Sequence, residues 1–180
     1  MPEPWNIVDS KRDRSFRIFN LRTDRAVSPR TGQAHDFYIL ESRPWVNCIP
    51  LTPKNEVVLI RQYRHGTREV TLEIPGGLVE AEDDPESAAL RELKEETGYE
   101  AECIRYLGPV HPNPAIQDNT CHSYLVLDAH NSGTQDLDEK EDIKVELQPI
   151  ERIPELIRNN TITHALVICA FYRYFMERCL

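Results

Sequence analysis

Between Gly76 and Tyr99 the sequence reads GGLVEAEDDPESAALRELKEETGY, with eight carboxylates against two basic side chains. Both ends of a helix are marked inside it. Asp84 is placed to cap the first turn, Pro85 suits the first helical position, and Gly98 supplies a C-terminal stop. Successive helical residues turn by about 100°. That sets Ala89, Leu90, Leu93 and Thr97 on one stripe, with Glu92, Glu95 and Glu96 beside it and Arg91 and Lys94 pointing elsewhere. An apolar stripe needs a core to pack on, so the flanking chain has to build one.

The flanks read as strands. FRIFNLRTDRAV and HDFYILES are separated by SPRTGQ, whose Pro and Gly favour a hairpin. WVNCIPL, VVLIRQYRH and VTLEIP follow, with TPKNE as a turn, and the last run stops at Gly76-Gly77. Beyond the acidic helix come ECIRYLG, the Pro-stiffened PVHPNPAIQDNT, CHSYLVLDA, the polar acidic HNSGTQDLDEKED and IKVELQPI. Two helices close the chain, IPELIRNN and THALVICAFYRYFMER. In the second, Val167, Ala170, Phe171 and Tyr174 share one face and Ile168, Tyr172 and Phe175 another, which predicts a mostly buried helix. Short strands with helices inserted late predict an α+β fold with a sheet between helices. The expected division is residues 1–45, a small antiparallel sheet too short to stand alone, and residues 46–180, the main domain.

A net charge of −9 with no basic stripe argues against a nucleic-acid partner. Anionic small molecules remain open if cations stand between them and the protein. Cys48, Cys103, Cys121, Cys169 and Cys179 are odd in number, scattered and without a CxxC pair, so they read as reduced thiols. The first residues hold no apolar run, and ALVICAFY is too short to span a bilayer. The expectation is a soluble, cytoplasmic protein with no membrane partner.

Why crowd Glu92, Glu95 and Glu96? Like charges four residues apart destabilise a helix, and neighbouring carboxylates raise one another's pKa. A solvated acidic face with local ion pairs is the bland alternative. The cluster, however, borders the core stripe instead of opposing it, and the Gly-Gly turn lets backbone approach whatever it holds. Mg²⁺ takes oxygen ligands from a few carboxylates and substrate phosphates. A bound cation resolves the crowding.

From Gly77 the chain runs Gly, five residues, Asp83, seven residues, then RELKEETGY. This resembles the signature box of the Nudix hydrolases, which cleave nucleoside diphosphates linked to another moiety, and whose fold is an α/β/α sandwich with a mixed sheet. The family usually has Glu where Asp83 stands, a position that supports the loop and helix; Glu82 is a neighbouring substitute. The resemblance implies that Glu92 and Glu96 ligate Mg²⁺ or Mn²⁺, two or three ions per site, with Glu95 assisting, the Gly76 carbonyl as a further ligand and Arg91 orienting the carboxylates.

VVLIRQYRHGTREVTLEIPGGLVE, together with Pro114 fifteen residues beyond Tyr99, is similar to the ADP-ribose pyrophosphatase branch. That branch implies a homodimer that exchanges N-terminal sheets and acts on nucleoside diphosphate sugars, ADP-ribose foremost. Arg64 would then reach a phosphate or terminal sugar, since a guanidinium fork suits phosphate oxygens. Glu73 would meet a ribose hydroxyl or a dimer contact. Phe37 would stack on the base, and Asn113, Pro114 and Gln117 would touch sugar or base. The general base would come from the DLDEKEDIKVEL loop, where Glu141 is preferred over Glu139, and Asp142 ranks below both. A calcium-binding loop is rejected there for want of glycine at its sixth position. The rival readings are another nucleoside diphosphate derivative (GDP-mannose or a dinucleoside polyphosphate), a catalytically silent nucleotide sensor, and a purely structural acidic helix.

Overall fold

The computed structural model describes residues 1–178, so Cys179 lies outside it. The chain folds into two compact units, Met1–Arg43 with His111–Thr120, and Pro44–Val110 with the chain from Cys121 onward. The first unit thus ends two residues before the expected boundary and takes in the Pro-rich segment.

The first unit is an antiparallel sheet of β1 (Asn6–Ser15), β2 (Asn20–Val27) and β3 (Ala34–Glu41), in that order. Nothing in the sequence announces β1. NIVDSKRDRS is exposed along its whole length, so it carries no alternation of apolar and polar residues to betray it. It is held instead by its ladder to β2 and by polar pairs, such as Ser10 Oγ donating to Asp24 at 2.6 Å. Arg22 bridges Asp24 and Glu41 at 2.9 and 2.8 Å. The Pro-rich segment joins β3 as an edge: the Leu40 N–H donates to the Ile116 carbonyl at 2.7 Å, and Gln117 pairs with Leu40.

The second unit contains β4 (Trp45–Pro50), β5 (Glu56–Arg64), β6 (Glu69–Glu73), α1 (Pro85–Thr97), β7 (Tyr99–Glu100), β8 (Cys103–Val110), β9 (Cys121–Leu127), β10 (His130–Asn131) and β11 (Ile143–Pro149). Then come α2 (Ile153–Arg158) and α3 (Ala165–Arg178). Strands β4 and β9 are parallel and β8 pairs antiparallel to β9, while β11, β5 and β6 form an antiparallel sheet. The unit is therefore a mixed α+β structure.

Alternation along β4 and β9 places two layers of helix. Val46, Cys48, Tyr124 and Val126 cluster with Ala88, Ala89 and Leu93 of α1. The intervening Ile49, Leu51 and Leu125 cluster with Val167, Ala170, Phe171 and Tyr174 of α3. Side chains of opposite parity point to opposite faces, so this sheet is buried on both sides. The helix faces differ from expectation in two places. Ala88, not Leu90, is fully buried on α1, and on the second α3 face Tyr172 is exposed while Ile168 and Phe175 are half-buried against the core.

Candidate active site

The turn from Pro75 to Val79 is laced to β4. Val46 N–H donates to Gly77 O at 2.9 Å, Cys48 N–H to Pro75 O at 3.0 Å and Val79 N–H to Pro44 O at 2.9 Å. A Cβ on Gly76 would collide with the Val46 carbonyl, and one on Gly77 would stand 2.5 Å from Glu92 Oε1. Two glycines are what allow strand, turn and carboxylate to share this space. The helix that follows is capped as its sequence indicates. Asp84 accepts from the Glu86 and Ser87 N–H groups, Pro85 opens α1, and Gly98 closes it in the left-handed conformation at φ 73°.

Glu96 is buried, 3% exposed, and accepts the Gly76 N–H at 2.9 Å. Burial pushes its pKa up to about 8; the Gly76 bond opposes that rise, Glu92 and Glu141 add to it, and Arg64 subtracts. Glu92 is raised to about 7, again by burial first, against the pull of Arg91 and with the push of Glu95 and Glu141. Arg91 does reach round the helix. Its guanidinium bonds Glu95 at 2.7 Å, lies 3.1 Å from Glu92, and donates to Asp83 at 3.0 Å and to the Leu78 carbonyl at 3.3 Å. Asp83, though shorter than Glu, makes this link itself. Lys94 instead pairs with Glu100.

Among the described residues no group of three His, Cys, Asp or Glu side chains already stands as a finished metal centre. Glu92 and Glu95 are turned to Arg91, and Glu96 to Gly76. The chemistry of the donors nevertheless fits a hard cation: buried Glu96 and half-buried Glu92 both have raised pKa values, and the one guanidinium on the helix, Arg91, is shared among Glu92, Glu95 and Asp83. The Gly76 N–H is spent on Glu96.

Arg64 and Glu73 are brought together on β5 and β6 as a fork, with Nε and Nη2 donating to the two carboxylate oxygens at 2.8 and 2.7 Å. Thr71 Oγ1 adds a third donor to Glu73 at 2.6 Å. Burial would raise Glu73, but Arg64 and Thr71 outweigh it and hold the carboxyl below its ordinary range. Both residues line a cavity of about 310 Å³ whose wall also includes Gly76, Gly77, Asn47 and His164.

Glu141 is half-buried and close enough to raise Glu92 and Glu96, whereas Glu139 and Asp142 are exposed. The loop bearing Glu141 is hooked to the end of α1. Ser132 N–H donates to Gly98 O at 2.9 Å and Asp136 N–H to Glu95 O at 2.9 Å. Gln135 Nε2 spans the Glu96 and Ile143 carbonyls at 2.5 and 3.1 Å. No motif points to Gln135. Phe37, Asn113, Pro114 and Gln117 belong to the N-terminal unit. There Phe37 is 41% exposed and packs edge-on against Trp5, and Gln117 N–H donates to the Asn113 carbonyl at 2.8 Å.

A buried and a half-buried carboxylate on a capped helix, packed on a glycine turn beside a cavity, are what a hydrolase of phosphate compounds requires. The chain belongs to the Nudix family: the NUDIX domain model matches residues 41–171. Relatives include the methanol dehydrogenase activator of Bacillus methanolicus, 31% identical over 91% of this chain and 89% of its own length. The ADP-ribose pyrophosphatase of Bacillus subtilis is 27% identical over 84% of this chain and 82% of its own, and that of Mycobacterium tuberculosis 26% over 91% and 80%. The fold is shared with an ADP compounds hydrolase of known crystal structure, at a TM-score of 0.86 and 20% identity over 98% of this chain and 95% of that one. Nudix hydrolases generally work with divalent metal ions such as Mg²⁺.

Proposed function

We propose that the protein hydrolyses the pyrophosphate bond of nucleoside diphosphate sugars, ADP-ribose foremost, as a cytoplasmic homodimer. The observation that carries this reading is the pair of α1 carboxylates of raised pKa against the glycine turn: buried Glu96, bonded to the Gly76 N–H, and half-buried Glu92, packed on Gly77. The names of the two pyrophosphatase relatives supply the substrate class. No helix among the described residues is long and apolar enough to cross a membrane, which accords with the proposed location.

Glu92 and Glu96, with Glu95 and Gly76, would hold Mg²⁺ or Mn²⁺, two or three ions. The cations supply charge neutralisation at the diphosphate and a more acidic water. Arg91 keeps Glu92 and Glu95 turned inward, and Asp83 keeps Arg91 in place. Glu141 takes the proton of the attacking water as its oxygen bonds to phosphorus and the bridging P–O bond breaks. Nucleoside monophosphate and sugar phosphate leave. General base catalysis of this kind is worth about 10²–10⁴-fold, so Glu141→Gln lowers kcat by that order with little change in KM, whereas Glu139→Gln leaves kcat near wild type.

Monophosphate release from ADP-ribose, other nucleoside diphosphate sugars including GDP-mannose, and dinucleoside polyphosphates, with Mg²⁺ and with chelator, tests the reading. Metal-dependent release that ranks ADP-ribose first is expected. Metal-strengthened nucleotide binding without turnover would make the protein a sensor and end the enzyme reading.

A further inference from the structure

Two polar atoms in the wall of the 310 Å³ cavity are left over. Asn47 is 6% exposed; its Nδ2 donates to the Leu166 carbonyl at 3.4 Å, while its Oδ1 is buried without a hydrogen-bond partner among the described residues. His164, on the residue before α3, has a buried Nδ1 in the same condition. Leaving such atoms unsatisfied is costly, and native folds pair nearly all of them. The two reach the cavity from different elements, β4 and the start of α3, and Glu73 adds a carboxylate to the same wall. Burial holds the His164 imidazole toward its neutral form. The Glu73 oxygens are already taken by Arg64 and Thr71, so the unused hydrogen-bonding capacity of this wall lies at Asn47 Oδ1 and His164 Nδ1. One aromatic, Trp45, lines it.

We propose that this cavity is the subsite for the sugar hydroxyls of the substrate, with Asn47 Oδ1 and His164 Nδ1 as the groups that read them. A hydroxyl gives the donor that Oδ1 lacks and bonds to Nδ1 in either tautomer. A volume at the lower end of small-ligand sites suits a single ring. A base edge offers fewer donors than a sugar and draws on aromatic stacking, which a wall with one aromatic serves poorly. The inference rests on the diphosphate-sugar reading, because Gly76 and Gly77 place the cavity beside the carboxylates that would hold the cation.

Calorimetric titration of the Mg²⁺-loaded protein with ribose 5-phosphate, AMP and inorganic phosphate is the direct test, on wild type, Asn47→Leu and His164→Gln. Ribose 5-phosphate binds wild type more tightly than inorganic phosphate does, and each substitution weakens it about tenfold, the scale of one buried hydrogen bond. AMP binding stays unchanged, and KM for ADP-ribose rises more than kcat falls. Loss of AMP binding instead assigns the cavity to the base and overturns the proposal. Equal binding of ribose 5-phosphate and phosphate, or no response to either substitution, leaves the cavity to water and overturns it too. His164→Gln keeps a polar side chain should Asn47→Leu fail to fold. Selective loss of ribose 5-phosphate binding in a protein that hydrolyses no diphosphate sugar upholds the subsite and sinks the hydrolase reading alone.

Discussion

Glu73 and Glu96 are nearly equally buried, 2% and 3% exposed, yet they sit in opposite electrostatic states. Glu73 on β6 has a guanidinium fork and a hydroxyl, and its pKa is held down. Glu96 on α1 has one backbone N–H and like-charged neighbours, and its pKa is pushed up to about 8. Burial is thus not what separates these two carboxylates. The separating quantity is how much positive charge the fold itself provides: Glu73 has the Arg64 fork, whereas the guanidinium of α1 goes to Glu92 and Glu95 and not to Glu96.

The sharpest way to break the comparison is to neutralise Glu96. Glu96→Gln lowers metal-dependent hydrolysis by about 10³-fold, the scale on which an electrostatic stabiliser is lost, while the metal-free protein melts no lower than wild type. A melting temperature that drops in chelator would place Glu96 with Glu73 as a structural group. The mirror experiment is Arg64→Ala. It strands a buried carboxylate and destabilises the protein by about 3 kcal/mol with or without Mg²⁺, read from denaturant midpoints. Gln135→Ala unhooks the Glu141 loop from the Glu96 carbonyl and lowers kcat by about tenfold, on the order of a lost hydrogen bond, with cation affinity retained in a titration.

The smallest effect is in pH. Glu92 and Glu96 carry folded-state pKa values of about 7 and about 8 against an ordinary 4.5. A raised pKa stabilises the metal-free fold fully below about pH 4.5 and loses that contribution as pH climbs through about 7 and 8. The metal-free melting temperature therefore falls from about pH 4.5 and levels off above about pH 8, and the gain from Mg²⁺ grows up to the same pH, since binding must release those protons. Melting curves with Mg²⁺ and with chelator at each pH check the sign.

Most of α1 is legible in the chain. Asp84, Pro85 and Gly98 bound it, and the spacing of Glu92, Glu95 and Glu96 places them on the border of the buried stripe. What spacing does not carry is rotation and partner choice. Ala88 sits in the core and Leu90 at its margin, because the layer beneath α1, Val46, Cys48, Tyr124 and Val126, sets the rotation of the helix. Strand β1 stays hidden because an exposed, charged strand has no period to detect. The fork of Arg64 on Glu73 joins residues nine apart across a hairpin, visible once β5 and β6 are in register. Asn47 does leave a trace, as the single polar residue in WVNCIPL; the Gln135 hydrogen bonds depend on how a loop closes, which no local pattern records.

Strand β4 serves two layers by parity. Its even residues, Val46 and Cys48, seat α1, and its odd ones, Asn47 and Ile49, with Leu51 just beyond, face the other layer. Slipping it by one residue would send Asn47 under α1 and an apolar side chain into the cavity. Descent can therefore retune this cavity by exchanging the residue at position 47, but not by inserting or deleting one upstream within the strand. Substrate preference among near relatives should drift here by letters changed, with the length of β4 kept constant.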